Sequence, residues 1–448
     1  MGKRFLISLL LVIVIVAVVA IGASFIFHGS YEDVSALQEQ AAASTDSDTF
    51  GQTTDLPVIS AAPVTPVEPA SGDEQASTEE SNDGIEPSAT PATDVANEYE
   101  LRAQAFVEKM TLQEKICQML FVTPEALTGY NQVTQSGEAT KASIEEFPVG
   151  GIIYFSENLV TMDQTKEMID NIQSYSRDRS GLGLFIGVDE EGGSVARLAD
   201  SLGTTQFEDM SVYGAEGDPQ KAYEIGATLA ADLKEFGFNV DFAPVADVLT
   251  NEENEVVKER SFGSDPDLVS SMVSQEVKGF VENGVLCAPK HFPGHGSTGG
   301  DTHDGFAAST RTMEELQACD LKPFQAVIDA GAPMIMVGHM TMTEIDSENP
   351  ASLSNAVITG ILREQMGYTG IIITDSLSMN AITDLYTSGE AAVKAIQAGC
   401  DMLLCISNVE SAVDAVTEAV NSGEISQERI DESVIRILTA KIQFGIVS

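Results

Sequence analysis

The chain has 448 residues, 43% of them hydrophobic, enough for a sizeable core and for one large domain or two to three average ones. Its 69 acidic against 23 basic side chains give a formal charge of -46, which excludes tight binding to a phosphate backbone or anionic lipid headgroups, so nucleic acid is not an expected partner. The five cysteines, at 117, 287, 319, 400 and 405, are odd in number and lack a CxxC pair, so they read as buried thiols rather than a disulfide framework.

Residues 1–27 place Lys3 and Arg4 ahead of an uncharged apolar run of about 23 residues, long enough as a helix to cross a bilayer. The expectation is a retained N-terminal transmembrane helix, with the remainder outside the cytoplasm by the positive-inside rule. A cleaved signal peptide is the alternative: Ala20, Gly22 and Ala23 offer small residues to a peptidase, and cleavage would leave a secreted protein. Residues 28–96 are rich in Ser, Thr, Pro, Asp and Glu with no Lys or Arg, and are expected as a disordered acidic linker. A flexible chain of that length spans roughly 45 to 50 Å.

From Asn97 to Ser448 the pattern changes to eight apolar runs: 117–123, 149–155, 182–188, 239–245, 284–290, 334–340, 370–376 and 401–407. Between them lie amphipathic stretches such as "DPQKAYEIGATLAADLKEFG", apolar at i, i+3, i+4 and closed by glycine. Alternating strand and helix predict an α/β fold, a single (β/α)8 TIM-type barrel over residues 97–448, with an open doubly wound sheet as the alternative.

In such a barrel, chemistry gathers after the strands. Asp189 follows the third run, Lys290 and His291 end the fifth, His339 the sixth and Asp375 the seventh, while Arg260 stands in the loop after the fourth. The fifth run opens "KHFPGHGSTGGDTHDGF", which holds three of the chain's five histidines with two aspartates and five glycines. His291, His295, Asp301 and His303 match neither HExxH nor a zinc-finger spacing, and no metal or other cofactor is expected. A phosphate cradle is also unsupported, because the segment lacks the Gly-Lys-Ser/Thr ending of a P-loop. The reading preferred over both is an active-site loop hinged on its glycines, in which Asp301 orients the His303 imidazole for proton transfer.

These residues, with "GVDEEGGSVARL", "FAPVADV", "RSFG" and "ITDSLSM", resemble glycoside hydrolase family 3, in its bacterial β-N-acetylglucosaminidase branch. The likeness implies Asp375 as nucleophile, His303 as general acid/base with Asp301 as its partner, and Asp189, Arg197, Arg260, Lys290 and His291 as sugar-binding residues. It implies a retaining exo-β-N-acetylglucosaminidase acting on peptidoglycan-derived or related glycans through a glycosyl-Asp intermediate. Two departures stand out: Ser194 follows the paired glycines where the family commonly has arginine, and Ser376 replaces one of a frequent aspartate pair. Asp247, His295 and His339 are expected to support the site. The residues after the eighth run read as closing helices, so a single, monomeric catalytic domain is expected. A β-glucosidase or β-xylosidase, a glycosyl phosphorylase, an inactive surface glycan-binding protein and a metallohydrolase remain the alternatives.

Overall fold

The structure is a computed structural model and describes residues 92–300 and 306–447. The expected membrane helix of residues 1–27 and nearly all of the expected linker lie outside the described residues. Among the described residues no helix is long and apolar enough to cross a membrane.

Twelve short strands appear among the described residues: β1 (Leu120–Val122), β2 (Gly151–Ile153), β3 (Phe185–Val188), β4 (Glu190–Gly192), β5 (Val195–Ala196), β6 (Val240–Asp241), β7 (Leu286–Cys287), β8 (Ala308–Ser309), β9 (Met334–Val337), β10 (Thr341–Met342), β11 (Ile371–Thr374) and β12 (Leu403–Leu404). Each of the eight apolar runs contains one of them. The helices between start and stop where the sequence says. Asp218 accepts from the Gln220 amide ahead of Pro219, and Gly237, at φ 91°, ends the helix Pro219–Phe236. That helix buries Ile225, Leu229, Leu233 and Phe236 along one face.

The expectation of a (β/α)8 TIM-type barrel is corrected. The ladders form a curled, six-stranded parallel sheet, a half-barrel in the order β12-β1-β2-β3-β6-β7. β9 and β11 pair in parallel with each other as a separate ladder, and meet the ends of the sheet at the bridges Phe292–Val337 and Ile373–Met402, through a few backbone bonds such as Phe292 N–H to the Met336 carbonyl at 2.9 Å and Thr374 N–H to the Met402 carbonyl at 3.1 Å. Local chemistry explains the breaks. Beyond β7 the chain contains Pro289 and Pro293, which have no N–H to donate, so pairing with β9 is reduced there to bonds such as Met336 N–H to the Pro289 carbonyl at 3.0 Å and Phe292 N–H to the Met336 carbonyl at 2.9 Å. On the other side the Ile372 amide donates to the Asp401 carboxylate at 2.9 Å rather than to a strand carbonyl alongside.

The concave side is filled by aromatic rings. Phe121 stacks on Phe185 at 6.3 Å between centroids and meets Phe242 edge-on at 5.2 Å. Gly187 makes room for them: a Cβ there would sit 2.7 Å from Phe121 Cζ. At the floor, Lys441 is fully buried, donates from Nζ to Gln118 Oε1 at 2.9 Å, and lies 5.0 Å from the Phe185 ring centre.

Candidate active site

The residues after β3 turn back as a hairpin, β4 against β5, with Glu190 opposite Ala196 and Gly192 opposite Val195. Gly192 and Gly193 make the turn at φ 89° and 56°, a region open to glycine, and a Cβ on Gly193 would stand 2.2 Å from Asp209 Oδ1. Successive side chains of an extended segment point to opposite sides. Asp189 and Glu191 therefore face one way, toward the cavity, and Glu190 faces the other.

Two cations meet those two acids. Arg260 clasps Glu191 with both ends of its fork, Nε to Oε2 and Nη2 to Oε1 at 2.7 Å each. Lys290 lies between the acids, its Nζ 2.6 Å from Asp189 Oδ1 and 2.6 Å from Glu191 Oε1. Burial works to raise the Glu191 carboxyl, but Arg260 and Lys290 outweigh it and hold the group well below the usual carboxylate range. Burial likewise works to lower Lys290, and Asp189 and Glu191 more than reverse it. The group is thus a buried four-charge chain, neutral in sum, with Asp189 the most exposed member.

His291, next to Lys290, turns its Nδ1 to Asp247 Oδ2 at 2.7 Å. With a carboxylate as acceptor, Nδ1 carries the proton and Nε2 remains for the cavity. Asp247 is fully buried, and its Oδ1 also accepts from the His295 amide at 2.6 Å, so one carboxylate holds both ends of the Lys290–His295 turn. His295 bonds through Nδ1 to Thr298 Oγ1 at 2.9 Å, and burial keeps its imidazole below its ordinary pKa. Gly296 lets this turn approach the loop after β6: a Cβ there would be 2.0 Å from the Val248 carbonyl oxygen.

Asp375 stands at the end of β11. Its Oδ1 accepts from the Ser376 amide at 2.7 Å. Burial works to raise this carboxyl, but His339, His291 and the Ser376 N–H together hold it below its ordinary value, so it is ionised at neutral pH. His339 Nε2 contacts the Ser376 carbonyl at 2.8 Å and Nδ1 the Ser352 hydroxyl at 2.7 Å, which fixes the loop behind the carboxylate. The Cys405 thiol, pushed up to about 12 by burial, lines the same space as an uncharged group.

These groups enclose a cavity of about 450 Å³, lined on its polar side by Asp189, Glu191, Arg197, Arg260, Lys290, His291 and Asp375, and on its apolar side by Phe155, Met336, Met379 and Leu404. A larger hollow of about 570 Å³ lies at the opposite ends of β9 and β11, beside Pro333, Gly370 and Arg436. It gathers none of the residues singled out in the sequence. The smaller cavity is the one with converging carboxylates, cationic donors and apolar walls, the makings of a site for a neutral polyhydroxylated molecule.

Six of the eight sequence-derived site residues, Asp189, Arg197, Arg260, Lys290, His291 and Asp375, are thus brought to one cavity. Asp301 and His303 lie outside the described residues. Sequence reasoning missed Glu191, which joins Arg260 to Lys290. Its signal was available: in an extended run, the second acid after Asp189 shares its side. Arg260 and Lys290 are in turn largely occupied by Glu191, whereas Arg197 keeps its buried Nε without a partner among the described residues.

The model of the glycosyl hydrolase family 3 N-terminal domain matches residues 111–440. Beta-hexosaminidase A of Pseudoalteromonas piscicida is 32% identical over 323 residues, covering 66% of this chain and 54% of that protein. Beta-hexosaminidase LpqI of Mycobacterium tuberculosis is 32% identical over 310 residues, 67% of this chain and 78% of that protein. The solved structure of a glycoside hydrolase family 3 beta-N-acetylglucosaminidase from Paenibacillus sp. superposes with a TM-score of 0.71 at 36% identity, covering 76% of this chain and 64% of that one. The chain therefore spans about half the length of the first relative and under two thirds of the solved one. Its strand-end acids and cations stand within the matched span, and the chain belongs to glycosyl hydrolase family 3.

Proposed function

We propose that the chain is a retaining exo-β-N-acetylglucosaminidase that removes terminal N-acetylglucosamine from peptidoglycan-derived or related glycans. The observation that carries this reading is Asp375: a carboxylate kept ionised at a strand end, on the wall of a cavity where Asp189, Glu191, Lys290 and Arg260 already balance one another's charge. An ionised carboxylate with few competing hydrogen bonds is what attack on an anomeric carbon requires. Asp375 forms the glycosyl ester, and His303, oriented by Asp301, gives its proton to the leaving oxygen and then takes one from water. Asp189, Arg197, Arg260, Lys290 and His291 bind the sugar. The similarity to proteins named beta-hexosaminidase supports the sugar class.

The test is to trap the intermediate with a 5-fluoro N-acetylglucosaminyl or 2-fluoro glycosyl inhibitor and map the label by mass spectrometry. Attachment at Asp375 is expected, and a label on another residue would refute the role assignment. Aryl β-glycosides assayed with and without phosphate separate this reading from a β-glucosidase, a β-xylosidase and a phosphorylase. Glycan binding without any turnover would mark an inactive lectin-like protein.

The proposal includes a monomeric enzyme working outside the cytoplasm. Its support is the Lys3–Arg4 flank of the apolar N-terminal run. Protease digestion of intact cells tests it: a domain protected until the cells are lysed would contradict that location.

A further inference from the structure

The hairpin that sends Asp189 and Glu191 to the cavity sends Glu190 the other way, and the proposed catalytic chemistry leaves that carboxyl without a task. Glu190 is 1% exposed. Its Oε2 accepts from the Leu198 amide at 2.6 Å and its Oε1 from the Ala199 amide at 3.0 Å. Those are the opening amides of the helix Arg197–Leu202, and its N-cap residue, Ala196, has no side-chain oxygen to receive them. The first residue of that helix is Arg197, which lines the cavity and holds a buried, unpartnered Nε.

We propose that Glu190 is a positioning residue for the sugar pocket: its carboxylate caps the helix Arg197–Leu202 and so fixes where Arg197 presents its guanidinium. Two arms hold the helix to the site floor. The Glu190 side chain grips the helix amides, and the Glu190 amide donates to Asp241 Oδ1 on β6 at 3.0 Å. Asp241 is fully buried, and its Oδ2 has no partner among the described residues.

Burial works to raise the Glu190 carboxyl, to about 7, and the Leu198 and Ala199 amides work to lower it. Burial is the larger cause, so the two amides are what make an ionised form tolerable in that enclosed place. Above pH 7 the carboxylate holds the helix by two charge-assisted bonds, where a neutral glutamine amide could make only weaker ones.

The inference rests on reading the cavity as a sugar site, and its test is arranged so that the two can fail separately. In the full-length chain, binding of a neutral N-acetylglucosamine-configured lactone oxime is measured by calorimetry at pH 8, beside Glu190→Gln. The variant is expected to lose about five-fold in affinity, the worth of about one ordinary hydrogen bond. KM is expected to rise with the inhibitor's Kd, while the variant's kcat stays near wild type. Hydrogen exchange of the peptide covering residues 197–202 needs no ligand: faster exchange in the variant than in the wild type is expected. Equal exchange in the two proteins overturns the proposal even if no sugar binds. Equal affinity in the two overturns it where the inhibitor does bind.

Discussion

Replacing Glu191 by glutamine removes one charge from the buried chain Asp189, Lys290, Glu191, Arg260 while keeping the side chain's shape. Two oxygens that now accept three N–H groups, two from Arg260 and one from Lys290, become one oxygen and one NH2. One N–H is then aimed at another donor, and two cations share the single carboxylate of Asp189. Breaking a buried pair by removing one partner costs about 3 to 5 kcal/mol. The partly exposed Asp189, at 19%, still neutralises Lys290, which places the expected loss near the lower end, about 3 kcal/mol. The chain has no tryptophan, so urea unfolding at pH 7 is followed by circular dichroism. The sign with pH is also set. A carboxyl held below its ordinary range contributes stability above about pH 4 and loses it on further acidification, so the gap between the proteins narrows in acid. Turnover should fall about 100-fold, since both cations lose their aim. A stability loss below about 1 kcal/mol with unchanged kcat/KM would refute the account of these four residues as one unit.

Asp375→Asn is expected to lower kcat by a thousand-fold or so while leaving neutral-inhibitor affinity within a few-fold; retained turnover would remove the nucleophile from Asp375. Lys441 is lowered by burial from 10.5 to about 7, so the unfolded chain binds the extra proton between those values and wild-type stability rises with pH across that window. Lys441→Met should abolish that rise and, after the loss of the Gln118 bond, stabilise the protein at pH 7 by about 2 kcal/mol; equal slopes in the two proteins from pH 7 to 10 would contradict it. Gly296→Ala forces a Cβ against the Val248 carbonyl and should lower both the Tm and kcat/KM, whereas wild-type values would mean the two loops part easily.

What the sequence disclosed, and what it withheld, follows from range. The eight strands were legible because each is a short apolar run with glycine or proline near at least one end, a pattern written in neighbouring residues. The cavity residues were legible for a related reason, since a polar side chain at the tip of an apolar run has one place to go. Ladder partners were not, because they depend on groups far apart: the Ile372 amide is taken by the side chain of Asp401, which no local pattern announces. Pro289 and Pro293 mark in the sequence where regular pairing thins, but counting eight runs does not register it. Glu191 was passed over in favour of Asp189 alone, although the alternation of an extended run sets the two on one side. Lys441 gave no hint, since a lysine near the end of an amphipathic helix reads as solvated.

The salt chain of the cavity also has a bearing on when the proposed active site can assemble. Asp189 and Glu191 are joined to Lys290 and Arg260 across separations of 101 and 69 residues, so no stretch of fifty residues contains the unit. A ribosome that has emitted the chain only as far as Glu282 has made both acids and Arg260 without Lys290, leaving an excess negative charge that resists being enclosed in a dry interior. The half-built molecule therefore keeps this corner open to water. Arrival of Lys290 neutralises it, and Asp375 follows later still, so the pocket closes electrically before it becomes reactive. A nascent or truncated chain stalled in between would be charge-balanced there yet chemically silent.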